Sequence, residues 1–145
     1  MDPTLRAVLG VCMRWIHIVS VVTLIGGFIY ARFVLAPALA AVKPDEREAV
    51  GSSAVRHFRP LLIVVIITVL GSGMYNYVTK TSFPPGYNMW MGIKLLLVLH
   101  IIASAILYSV RPANEAKRNR TALGIVISGL IVIGIAAYLR HLSLS

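Results

Sequence analysis

Apolar positions along the chain gather into four long runs separated by short polar punctuation. The first extends from about Trp15 to Leu39, interrupted only by Arg32; the second from Leu61 to about Val78. The third covers residues 89–110 and the fourth Thr121 to about Leu139. Each run is long enough, as a helix, to cross the hydrocarbon layer of a bilayer. The prediction is an all-α integral membrane protein: a four-transmembrane-helix bundle forming a single domain over residues 1–145, with both termini on one side.

The punctuation refines this outline. Residues 1–14 look like a short amphiphilic lead-in carrying Arg6 and Arg14, with Trp15 as an interfacial anchor and Arg32 placed to snorkel to the far headgroups. Ala36-Pro37-Ala38 and Ala38-Leu39-Ala40 have the small-residue form of leader cleavage sites. The apolar run before them is too long for a leader and Arg32 intervenes, so an uncleaved first span is expected. The connection VKPDEREAVGSSAVRHFRP holds three of the five acidic residues. Its DEREAV segment suits a helical turn or two along the membrane surface, and Pro60 suits the start of the second span. Gly71 and Gly73 would admit a close helix neighbour, as would the small-xxx-small pair Gly124 and Ser128. Pro84-Pro85-Gly86 breaks the chain before the third span. The basic link NEAKRNR precedes the fourth, and the tail RHLSLS is expected to be exposed.

Composition agrees with the pattern. Of 145 residues, 58% are hydrophobic and 13% charged, about half the ~25% charged of soluble domains. The net charge of +9 does not point to nucleic acid, because the basic residues lie at the ends of apolar runs. There they set orientation or meet anionic headgroups. Arg6, Arg14, Lys80, Lys94 and Arg140 fall on the side of the termini. Arg32, Lys43, Arg47, Arg56, Arg59, Arg111, Lys117, Arg118 and Arg120 fall on the other. Five against nine places the termini outside: periplasmic, for a multi-pass protein of a bacterial-type inner membrane. Cys12 is the single cysteine, so there is no intrachain disulfide and no CxxCH for covalent haem attachment.

Ionisable groups inside the spans are the candidates for chemistry, since each is costly in hydrocarbon without a partner. His17 lies two residues past Trp15 and Lys94 four past Trp90, which puts them within roughly 3 Å in depth. His100 should be about 9 Å deeper, on a face shared with Ser104 and Arg111. His141 returns to the outer face, and His57 sits at the opposite edge. The outer half also gathers Met1, Met13, Met74, Met89 and Met91, with Met13 and His17 one turn apart. Thioether and imidazole together suit Cu(I), and either can be an axial ligand of haem iron. No acidic residue lies within a span, and no GxSxG, HExxH or phosphate-binding glycine loop occurs. The bland alternatives are methionine as gap-filler, Lys94 snorkelling, and histidines hydrogen-bonded in packed or interfacial positions.

WIHIVSVVTLIGGFIYARFVLAP resembles the first helix of two related membrane groups, the CopD-type copper-resistance membrane domain and the HemJ-type protoporphyrinogen oxidase. HFRPLLIVVIITVLGSGMYN is similar to their next helix, and YNMWMGIKLLLVLHIIASAILYSVRP resembles their KLLLV-containing helix. The resemblance covers nearly the whole chain. In the HemJ-like branch a first-helix histidine and a third-helix lysine belong to the haem site, and these fall on His17 and Lys94. Two departures are that Thr23-Leu24-Ile25 replaces the Trp usual before Gly-Gly, and that the His-Gly-Tyr run after the lysine is missing. The implied function is b-type haem binding with His17 as axial ligand. Lys94, His100 or His141 would be second ligand or propionate partner, in electron transfer or in oxidation of a porphyrin- or quinone-like substrate. The copper alternative would use Met13, His17, Met74, Met89 and Met91, with Cys12, for uptake or binding at the outer face. A third alternative is a structural accessory subunit of a larger membrane complex. The partners expected are lipid, a membrane redox partner or complex, and a second copy of the chain, with no nucleic acid.

Overall fold

The computed structural model describes residues 2–110 and 114–143. Met1, Arg111 and Pro112, to which the sequence reading gave roles, lie outside the described residues, as does the end of the tail. The described chain is all-α, with four helices long and apolar enough to cross a membrane: α1 (Pro3–Ala40), α2 (Pro44–Val78), α3 (Tyr87–Val110) and α4 (Glu115–Leu142). Consecutive helices are antiparallel neighbours, α1 with α2 and α3 with α4. The two hairpins join chiefly where α1 meets α4, and α2 meets α3 more thinly.

Local chemistry explains the helix limits, and in three places it corrects the expectation. α1 starts at Pro3 rather than near Trp15. Asp2 is its N-cap, its Oδ1 accepting the Thr4 N–H at 3.1 Å, and Pro3 occupies the first turn, where its missing donor costs nothing. The DEREAV segment is not a separate surface helix; it opens α2. Pro44 begins that helix, and Asp45 and Glu46 in its first turn complement the helix dipole. Pro60 therefore lies inside α2 instead of starting it, and one backbone bond, to the Arg56 carbonyl, is forgone. α1 also departs from regular helix geometry. Its backbone widens into a π turn over Ala31–Leu35, with the Ala36 N–H reaching the Ala31 carbonyl. Pro37 supplies the reason, since it has no N–H to give and its ring would press on the Phe33 carbonyl in a regular helix.

Between α2 and α3, Pro84-Pro85-Gly86-Tyr87 forms a type II turn. Gly86 has φ +80° and the Tyr87 N–H bonds the Pro84 carbonyl at 3.1 Å. α4 is capped by Asn114, whose Oδ1 accepts the Lys117 N–H at 3.0 Å, and it ends with Arg140 and His141 in its last turn.

The ends of the bundle are tied by polar contacts. At the end holding the termini, Lys80 Nζ bonds Ser143 Oγ at 2.7 Å and lies 4.5 Å from the Tyr87 ring centre. At the other end, Arg47 donates to the Ala40 and Val42 carbonyls at 2.9 and 3.2 Å, closing α1, and faces Glu115 at 3.7 Å. Arg118 pairs with Glu48 at 2.8 Å, and Arg59 donates to the Ser109 carbonyl.

The interior is narrow and apolar. Phe28, Leu62 and Ile125 are its largest fully buried side chains. Phe28 meets Phe58 and Tyr108 edge-on, with centroids 6.0 and 5.2 Å apart, so one ring touches side chains from α2 and α3 at once. Outward, the helices are as apolar as they are inward. Trp15 is 66% exposed and Leu96 71%, which water would penalise and hydrocarbon accepts. This is a multi-pass membrane protein in contact with lipid.

Close approach of α1 and α4 occurs at Gly129 rather than at Gly124. A Cβ on Gly129 would lie 2.1 Å from Ile25 Cδ1, whereas one on Gly124 would meet nothing within 4 Å. Gly129→Ala is therefore expected to lower the thermal unfolding midpoint in detergent, at a cost of about 1 kcal/mol. Ile25→Val, which removes the clashing methyl, should restore most of the loss when combined with it. A Gly129→Ala variant as stable as the parent would show that this crossing is loose.

Candidate cofactor site on the α1–α2 seam

His17 and Ser20, one turn apart on α1, face Ser72 and Thr68, one turn apart on α2. His17 Nδ1 is 3.0 Å from Ser72 Oγ, and Ser20 Oγ donates to Thr68 Oγ1 at 2.9 Å. Each hydroxyl then passes its proton to α2. Thr68 bonds the Val64 and Val65 carbonyls at 2.9 Å, and Ser72 bonds the Thr68 carbonyl. Ser72 has one proton and spends it on the backbone, so its oxygen accepts from His17. In a neutral ring that places the proton on Nδ1, and the same ring also bonds the Val69 backbone. A histidine that donates from Nδ1 to a protein oxygen has the tautomer in which Nε2 can serve as a metal ligand.

Gly73 makes room for the ring. A Cβ there would stand 3.1 Å from His17 Cε1 and 3.5 Å from Nδ1. The seam thus fixes His17 by a hydrogen bond on one side and a missing side chain on the other.

Lys94, on α3, is half-buried and close enough to act electrostatically on the His17 ring. Its ammonium has no hydrogen-bond or ion-pair partner among the described residues. A cation so placed in the membrane half of a protein calls for an anion.

The other candidates do not converge on this pair. His100 and His141 are exposed. His57, at the opposite end, is also exposed and donates from Nδ1 to the Ser53 carbonyl at 2.9 Å. Met13 is half-buried one turn before His17, whereas Met74 and Met89 are exposed at 65% and 62%. Met91 packs against the separate cluster of Tyr87, Ile135 and Leu139. Cys12 is exposed. Among the described residues there is no cluster of three or more His, Cys, Asp or Glu.

The chain matches no protein-family model, no curated protein and no solved structure.

Sequence reasoning placed His17 and Lys94 at one depth but overlooked Thr68, Ser72 and Gly73 as the support of the ring. The signal was present: two hydroxyl residues four apart in an otherwise apolar span mark one helical face.

Proposed function

We propose that the protein binds b-type haem in the half of the bundle that holds the termini, with His17 as axial ligand through Nε2. The observation that carries this reading is the pairing of an imidazole held by Ser72 with the ammonium of Lys94, which has no hydrogen-bond or ion-pair partner among the described residues. The imidazole would ligate the iron, and a haem propionate would be the anion suited to the ammonium. Ser72 holds the imidazole in the tautomer that ligation requires, and Gly73 keeps the ring's place clear. When bound, the haem would supply one-electron transfer; the chain's part is ligation, orientation and an apolar surround. The distribution of basic residues supports residence in a bacterial-type inner membrane with periplasmic termini. Oxidation of a porphyrin- or quinone-like substrate is the enzymatic form of the same reading and rests on the resemblance to the CopD-type and HemJ-type groups.

The test is a visible spectrum and metal content of the protein in mild detergent, as isolated and after addition of haemin. The expected result is a Soret band with iron near one per chain. His17→Ala should lose it, and Ser72→Ala should bind about 10–100-fold more weakly, as expected when the support of a ligand is removed. Copper without a Soret band would overturn the reading, as would an unchanged haem spectrum and occupancy in His17→Ala. So would failure to take up haemin.

A further inference from the structure

The end of the bundle opposite the termini holds a cavity of about 230 Å³ lined by Ser52, Val55, Arg56, Arg59, Ser109, Val110 and Arg118. Three arginines share it, and the carboxylates nearby are already engaged. Glu48 pairs with Arg118 at 2.8 Å and Glu115 with Arg47 at 3.7 Å. Arg56 and Arg59 have no carboxylate partner among the described residues. The hydroxyl protons of the lining are spent as well, Ser52 on the Ala49 carbonyl and Ser109 on the Ile106 carbonyl. What the cavity still offers is guanidinium. Arg59 gives one group to the Ser109 carbonyl, yet its Nε is buried without a hydrogen-bond partner among the described residues.

We propose that this cavity binds an anionic phosphate group, held by Arg56 and Arg59. A carboxylate-free pair of planar donors suits phosphate oxygens. The space equals several waters at about 30 Å³ each, enough for a phosphate and the atoms attached to it. Two sources share that chemistry: the headgroup of an anionic phospholipid and a free phosphate ion or ester. The lining favours the lipid, because Val55 and the exposed Val110 continue the arginines into apolar surface where acyl chains would lie. Basic pockets between helix ends are where such headgroups bind.

The experiment compares full-length protein in nanodiscs and in delipidated detergent solution. Retention of phosphatidylglycerol against phosphatidylcholine is read by native mass spectrometry, and the effect of inorganic phosphate on the unfolding midpoint by thermal melting. The expected result is retention of phosphatidylglycerol roughly tenfold over phosphatidylcholine, abolished in the Arg56→Gln/Arg59→Gln variant. Stabilisation by inorganic phosphate without lipid preference, lost in the same variant, upholds the site with a soluble ligand. Arg56 is exposed, so Arg56→Gln alone keeps the fold and should weaken binding severalfold if the double variant does not fold. Equal retention of the two lipids with no phosphate effect overturns the proposal, and so does binding unaltered in a folded variant.

Discussion

Phe28→Ala should destabilise the bundle by roughly 2–3 kcal/mol, while Leu96→Ala leaves it within experimental error. Phe28 is 0% exposed and sits edge-on to Phe58 of α2 and Tyr108 of α3. In a water-soluble core such a truncation costs roughly 3–5 kcal/mol, part of it for returning the ring to water. Here the separated helix would return its ring to lipid, so the transfer part is small and the cavity and lost contacts remain. Leu96 already faces outward at 71% exposure and exchanges lipid for lipid. Reversible unfolding in detergent or bicelles, with helicity as the readout, separates the two variants. Equal effects would mean that packing around Phe28 does not hold the two hairpins together.

That contrast also bears on how much of the molecule was legible in the chain. The four apolar runs announced the helices, because a bilayer requires every backbone group to be satisfied within the segment. Helix limits were harder to see, since polar residues such as those of DEREAV can extend a helix beyond the membrane as readily as end it. Pro60 misled for a related reason: proline suits a first turn, yet a long helix tolerates the loss of one bond. Which face of each span points inward could not be found by hydrophobicity, for Leu96 and Leu62 are equally apolar and one is exposed while the other is 1% exposed. The site was legible where polar groups interrupted the pattern. His17 and Lys94 stood out as ionisable residues at matched depth, and the structure brings them within electrostatic reach. The arginine end was counted for its sign but not for its pairings, because the partners of Arg59 and Arg118 lie on other helices, at Ser109 and Glu48.

Removing one partner of the Arg118–Glu48 pair should not equal removing the other. The Arg118 side chain is 9% exposed and that of Glu48 59%. Glu48→Ala takes away a charged acceptor at 2.8 Å and leaves the guanidinium where water reaches it poorly; the expected cost is about 2 kcal/mol. Arg118→Met removes the buried charge itself, and the carboxylate left behind is solvated, so the part of its cost that comes from losing Glu48 should be no more than about 1 kcal/mol. Gly51 sharpens the asymmetry. A Cβ there would lie 2.4 Å from an Arg118 terminal nitrogen, so the backbone of α2 leaves room for the guanidinium, and methionine fits the same space without needing a partner. Adding Glu48→Ala to Arg118→Met should then cost almost nothing further. Thermal unfolding of the two single variants and the double variant measures all three terms. If Arg118→Met proved the more damaging single change, the guanidinium would be holding the helix ends through more than its bond to Glu48.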